Sequence, residues 1–285
     1  MSNANGLLHS LLFPRNKAQT VSISPKQLKG TTVYFLLRKE RAIKPKQFTE
    51  TLLKNVLPSW RRQEAFAQMN LALFHLATGG GSEVSPFVAT RTYSALKLTS
   101  MIGGMPTPPK FTSNMTPRYD AFVEVKLDDT PTATQVEALH WAHETLKSLC
   151  EEVSTCECDR RYNVLGSPPA PSDSVYLTVM TRTPWNKTRA EAQRYWINEH
   201  AQLVSSNVKR TNMCGYQQVH TTLNPSSSFQ NEFGGIATIE FSRLKDYLAQ
   251  LARPASLHFN NTLVLDEMNL TIQSEVGVYR RTIIS

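Results

Sequence analysis

"VYFLLRKE" (33–40) and "VYLTVMTR" (175–182) decide how this chain is read. Both are dense in β-branched and aromatic residues, and both lead through a polar turn into a helical pattern, so each reads as a strand followed by a helix. Such recurrence marks an internal repeat. Two further pairs extend it. "AFVEVKL" (121–127) and "GIATIEF" (235–241) alternate with a period of two. "CDRRYNVL" (158–165) and "VYRRTII" (278–284) carry Arg-Arg at the same place. "GYQQVHTTL" (215–223) supplies the second strand of the later unit, and "VATRTYSALKLT" (88–99) is expected to do so in the earlier one. Each unit then runs strand, helix, strand, strand, helix, strand, which is the ferredoxin-like motif.

One such unit covers a single sheet face with helices and leaves the other apolar and bare. Two units cover each other sheet to sheet. The expected fold class is therefore α+β: two tandem ferredoxin-like βαββαβ repeats forming an intramolecular α/β barrel, a pseudo-dimer. The space between the sheets is a natural ligand pocket. Residues 1–29 are expected to be a tail and 30–166 a degenerate first repeat, with long Gly/Pro/Ser-rich loops at 77–87 and 103–118. Residues 167–172 form a proline-rich linker that continues neither a helix nor a central strand, and 173–285 form the second repeat. The "TGGGS" in the first loop lacks the Gly-Lys-Ser/Thr ending of a phosphate loop.

Composition excludes several classes. Hydrophobic residues make up 40% and charged residues 19%, the balance of a soluble globular chain. No apolar run approaches the roughly 18–20 residues of a membrane span. The net charge of +8 is scattered among acids and forms no basic helix, so no nucleic-acid partner is expected. In the leader, charge follows the apolar patch Leu7–Phe13, the reverse of a secretory signal. Four cysteines without such a signal point to reduced thiols and a cytoplasmic location.

"RYWINEHAQLV" (194–204) carries the chemistry. Thr188 and Glu191 form a capping box for a helix over 189–207. On a 3.6-residue wheel Ala192, Trp196, His200, Leu203 and Val204 share one face, with Tyr195 beside them. His200 is therefore either a packed histidine or an imidazole at a pocket edge, able to act as general base. The equivalent helix of the first repeat, 44–62, sets Leu52 opposite Trp196 and Val56 opposite His200, and Pro58 is expected to interrupt it. Only the second repeat can carry a histidine-based site.

Other candidates are weaker. In the strand at 215–223, Tyr216, Gln218 and His220 share a face suited to a pocket wall. In the strand at 175–182, Tyr176 and Thr178 are expected to look between the sheets. Arg38, Arg182, Arg160–Arg161 and Arg280–Arg281 lie at strand ends, where arginine can bind a substrate carboxylate. His140, His143 and Cys150 read as a helix stripe. With Cys156 and Cys158 they match no standard zinc spacing, so no metal is expected.

Tyr195, Trp196, His200, Ala201 and Leu203 form an aromatic–Trp pair followed by His-Ala and an aliphatic residue. This pattern resembles the EthD family of dimeric α/β-barrel proteins. "LVLDEMNLTI" (263–272) is similar to the family's late Asp-Glu segment, at Asp266 and Glu267, although Met268 or Leu270 stands where an aromatic residue is usual. The resemblance covers the second half, and the first half only through the repeat. It implies a cofactor-independent small-molecule enzyme, a lyase, dehydratase or cyclase of hydrophobic aromatic or polyketide-like compounds. His200 would move the proton, Trp196 and Tyr195 would shape the site with Thr178, and Tyr176 or His220 would donate to a developing oxyanion. A cofactor-free oxygenase and a non-catalytic small-molecule-binding accessory protein are the alternatives. A homodimer of pseudo-dimers is compatible with the sequence.

Overall fold

Strands form where β-branched and aromatic residues are dense, and their order closes a barrel. The computed structural model describes residues 25–77, 118–166, 173–225, 229, 231–252, 259, 262–263, 266–267, 269–271 and 273–285. The strands are β1 (Lys26–Leu28), β2 (Thr31–Lys39), β3 (Asn70–Leu76), β4 (Ala121–Leu127), β5 (Cys150–Leu165), β6 (Val175–Arg182), β7 (Gly215–Thr221), β8 (Gly235–Phe241) and β9 (Gln273–Ile284). Their order is β1-β5-β2-β4-β3-β9-β6-β8-β7, and β5 also pairs with β7. Strands β2 to β9 thus close an eight-stranded antiparallel barrel. From β2 to β5, and again from β6 to β9, the order across the sheet is last, first, third, second. The two sets meet at two seams. One runs from Leu71↔Ile284 to Leu76↔Tyr279. The other runs from Cys158↔Thr221 to Leu165↔Tyr216 and carries two bulges.

Helices pack outside the barrel. They are α1 (Pro45–Thr51), α2 (Leu57–Arg61), α3 (Glu64–Ala67), α4 (Ala133–Lys147), α5 (Arg189–Tyr195), α6 (Ala201–Ser206) and α7 (Leu244–Ala252). A π turn, Leu52–Val56, joins α1 to α2, and another, Trp196–His200, joins α5 to α6. The buried residues fall into three groups. One lies between α1–α4 and the outward face of β2–β4, with Phe35, Trp60, Leu73 and Val123. A second fills the barrel with Tyr34, Phe74, Phe122, Tyr176, Met180, Phe233 and Tyr279. The third packs α5–α7 on β6–β8 through Trp196, Tyr216, Phe241 and Tyr247.

Several expectations change. The partner of β4 is Asn70–Leu76, whereas 88–99 lies outside the described residues, as do 1–24, nearly all of both long loops, and the linker 167–172. Residues 26–28 of the expected tail are a strand paired to Lys26↔Asn163 and its neighbours. Pro58 does not interrupt its helix, because it sits in the first turn of α2, where a missing N–H costs little. The helix stripe with Cys150 fails because α4 ends at Lys147 and Cys150 opens β5. Among the described residues no helix is long and apolar enough to cross a membrane.

Candidate functional site

The capping box at Thr188 forms as expected, with Glu191 N–H donating to Thr188 Oγ1 and Thr188 N–H to Glu191 Oε2. The π turn then adds a residue to one turn, since Ala201 N–H bonds Trp196 C=O five positions back. This rotates the rest of the helix. Ala201, Val204 and Ser205 are buried there, and Leu203 is only partly buried, which corrects the simple 3.6-residue wheel. Such insertions are frequent at functional sites.

The rotation leaves His200 buried and within reach of Asp266. Its Nδ1 lies 2.7 Å from Asp266 Oδ2, while Tyr195 Oη donates to Asp266 Oδ1 at 2.5 Å. A carboxylate only accepts, so Nδ1 carries the proton and a neutral His200 presents its lone pair at Nε2. Burial, then the bond to Asp266, holds the Tyr195 hydroxyl well above its ordinary range. Asn269 Nδ2 donates to Tyr195 Oη at 3.3 Å.

A second network fixes the indole. Trp196 Nε1 donates to Tyr216 Oη (3.1 Å), which also accepts from Gln218 Nε2 (2.8 Å). His220 Nε2 and Gln218 Oε1 are 3.1 Å apart, and the imidazole stacks on Trp196 with centroids 5.0 Å apart. Burial, then the charge of Arg160, pushes the His220 pKa down to about 3. Gly235 is required beneath the indole, since a Cβ there would lie 2.7 Å from Trp196 Cζ3. Gln193, which sequence reasoning missed, is buried and donates to the carbonyls of Thr221 (2.8 Å) and Gly234 (2.7 Å). Its position before the aromatic pair was the one available signal.

The sheet divides the expected residues. Tyr176 and Thr178 look into the barrel with Met180, as anticipated. His200, Trp196, Tyr195 and His220 lie between helix and sheet. His220 is therefore not part of the barrel lining, because alternation turns Val219 inward instead. Tyr176 and His200 are on opposite faces and do not form one constellation. His140 and His143 pack on Phe229, at 4.5 and 5.3 Å between centroids.

Comparison with known proteins places the fold. No protein-family model matches the chain, and no curated protein matches it. Among solved structures, an anthrone oxidase-like protein is 9% identical with a TM-score of 0.53, over 91% of this chain and 95% of that one. A variant chlorite dismutase from Candidatus Nitrospira defluvii is 10% identical with a TM-score of 0.43, over 90% and 92%. The chain shares its overall fold with the anthrone oxidase-like protein, and its antiparallel barrel is closed within one chain.

Proposed function

We propose that this protein is a cofactor-independent small-molecule enzyme of the EthD type, with His200 as its general base. The observation that carries this reading is the Tyr195–Asp266–His200 relay. Asp266 fixes the tautomer and the ring orientation, so Nε2 faces the substrate as a proton acceptor, and the carboxylate stabilises the imidazolium that follows. Trp196, clamped by Tyr216 and stacked on His220, forms the wall against which a flat, hydrophobic substrate lies. With Tyr176 across the sheet, the hydroxyl that serves a developing oxyanion on the His200 side is that of Tyr216. The reaction is a dehydration, lyase or cyclisation step on an aromatic or polyketide-like compound, begun by removal of a proton from carbon. The same reading takes 30–166 and 173–285 as tandem ferredoxin-like repeats joined at 167–172, with one site per chain and a cytoplasmic location.

The likeness to the anthrone oxidase-like protein supports a second reading. Proton removal by the same imidazole from an electron-rich substrate yields a carbanion that oxygen can attack without a cofactor. Incubation with aromatic polyketide-like ketones, followed by mass spectrometry and an oxygen electrode, separates the two. Loss of water without oxygen uptake is expected, and substrate-dependent uptake selects the oxygenase. His200→Gln keeps a partner for Asp266 and should lower kcat by about 10²–10⁴ with little change in melting. Wild-type turnover in this variant overturns the role of His200 in both readings.

A further inference from the structure

Inside the barrel, on the opposite side of the sheet from His200, lies a cavity of about 250 Å³. Its walls include Phe74, Glu124, Lys126, Tyr176, Glu240 and Arg281. Charge is unevenly distributed in it. Lys126 Nζ and Arg281 Nη2 both approach Glu124 Oε1, at 2.9 and 3.1 Å. Tyr34 Oη donates to Glu124 Oε2 at 3.0 Å. One carboxylate thus serves two cations. A third is close by: the β5 register shifts between Cys158 and Arg160, so Arg160 reaches outward to Gln193, while Arg161 follows it on the inward face. Among the described residues, the Nε atoms of Arg161 and Arg281 are buried without a partner. Burial, offset by Glu124 and reinforced by Arg281 and Arg161, holds the Lys126 pKa below its ordinary value. Glu240, which accepts from Ser174 Oγ at 3.2 Å, completes the charged lining.

Lys126, Arg161 and Arg281 together face two carboxylates, Glu124 and Glu240, and a positive charge left over in a partly buried place favours an anion that pairs with it. The remaining walls state the shape of that anion. Phe74 and Tyr176 meet edge to face at 5.5 Å, and the Arg281 guanidinium lies 5.6 Å from the centre of the Phe74 ring. The volume is below the roughly 300–1,000 Å³ of pockets for drug-sized ligands, which suits a molecule of one ring.

We propose that this cavity binds a small aromatic carboxylate, its carboxylate beside Lys126 and Arg281 and its ring against Phe74 and Tyr176. It is a second site, separate from His200, and no chemistry at His200 is needed to fill it. Arg281, a fixed cation with several donors, is the principal anchor, and the Tyr176 hydroxyl supplies a further donor.

The test is calorimetric titration with benzoate, using benzamide as a probe of the same shape without the charge. Benzoate should bind one to one and at least tenfold more tightly than benzamide. Arg281→Gln should weaken benzoate at least tenfold. Because that change also strips a partner from buried Glu124, a second variant, Thr238→Trp, fills the cavity and leaves its charges in place; it should abolish binding. A benzoate-soaked crystal of the unaltered protein should show the ring against Phe74 and Tyr176, an outcome that does not depend on any variant folding. Equal affinity for benzamide, undiminished affinity in Thr238→Trp, or a soaked crystal without the ring in this cavity each overturns the proposal.

Discussion

Asp266 is where the proposed chemistry is most sensitive to a single atom. Asp266→Asn preserves shape but presents an amide that can donate to Nδ1, moving the imidazole proton to Nε2 and removing the acceptor. Turnover is expected to fall by about 10³–10⁴ with a small effect on stability, checked by pairing kinetics with thermal melting. His220 makes a prediction of a different kind. It is neutral in the fold with a pKa of about 3, against an ordinary value of 6.5. Between these values the unfolded chain binds the extra proton. Stability present above pH 6.5 is therefore lost as pH falls towards 3, by about 1.4 kcal/mol per unit from this residue. Urea unfolding of His220→Gln across that window should show a shallower slope than the unaltered protein. Trp196 and His200 were legible because helical spacing put them on an apolar stripe. Asp266 was legible only through its family likeness, since no local pattern ties a residue 66 positions away to an imidazole. The face of His220 was legible, but whether that face looked inward or outward was not, because alternation fixes two sides without naming them.

The helix at 189–206 shows how elements depend on local chemistry. Its start follows from Thr188 and Glu191, so Thr188→Ala should cost about 1 kcal/mol, measurable by chemical denaturation. Its interior does not follow from spacing. A π turn leaves no composition signal, and for that reason Ala201 and Ser205 were not expected on the buried face that Val204 shares. Gly235→Ala should press on the Trp196 ring and on the Val219 carbonyl, 2.7 Å from the added carbon, destabilising by about 1–3 kcal/mol and altering indole fluorescence. In the first half, the strand is Asn70–Leu76 and not the longer, more polar stretch expected at 88–99. Its seven residues offer too short a run for periodicity to distinguish it from the helical pattern just before it.

Across the whole molecule, the closed barrel was the most legible feature, because the strand patterns fix order and exposed sheet faces demand a cover. How the two strand sets hold each other was not legible. Phe229, between β7 and β8, crosses to the other set and packs on Phe35, His140 and His143. Asn231, from the same connection, receives the Glu157 N–H at 2.8 Å, and its carbonyl accepts from Arg189 at 2.8 Å. Phe229→Ala should cost about 3 kcal/mol while unfolding stays a single transition, because neither strand set keeps its seams satisfied alone; calorimetry compares the two enthalpies that test this. The matched π turns carry a different message, about ancestry. Both sit at the same position, Leu57 N–H reaching Leu52 C=O just as Ala201 reaches Trp196, yet one ends in valine and the other in histidine. On the duplication proposed above, the inserted residue was inherited by both copies, and the difference between Val56 and His200 arose afterwards. On that reading the helix distortion is the older character, and the difference between Val56 and His200 marks the point at which two once-equal copies took separate careers.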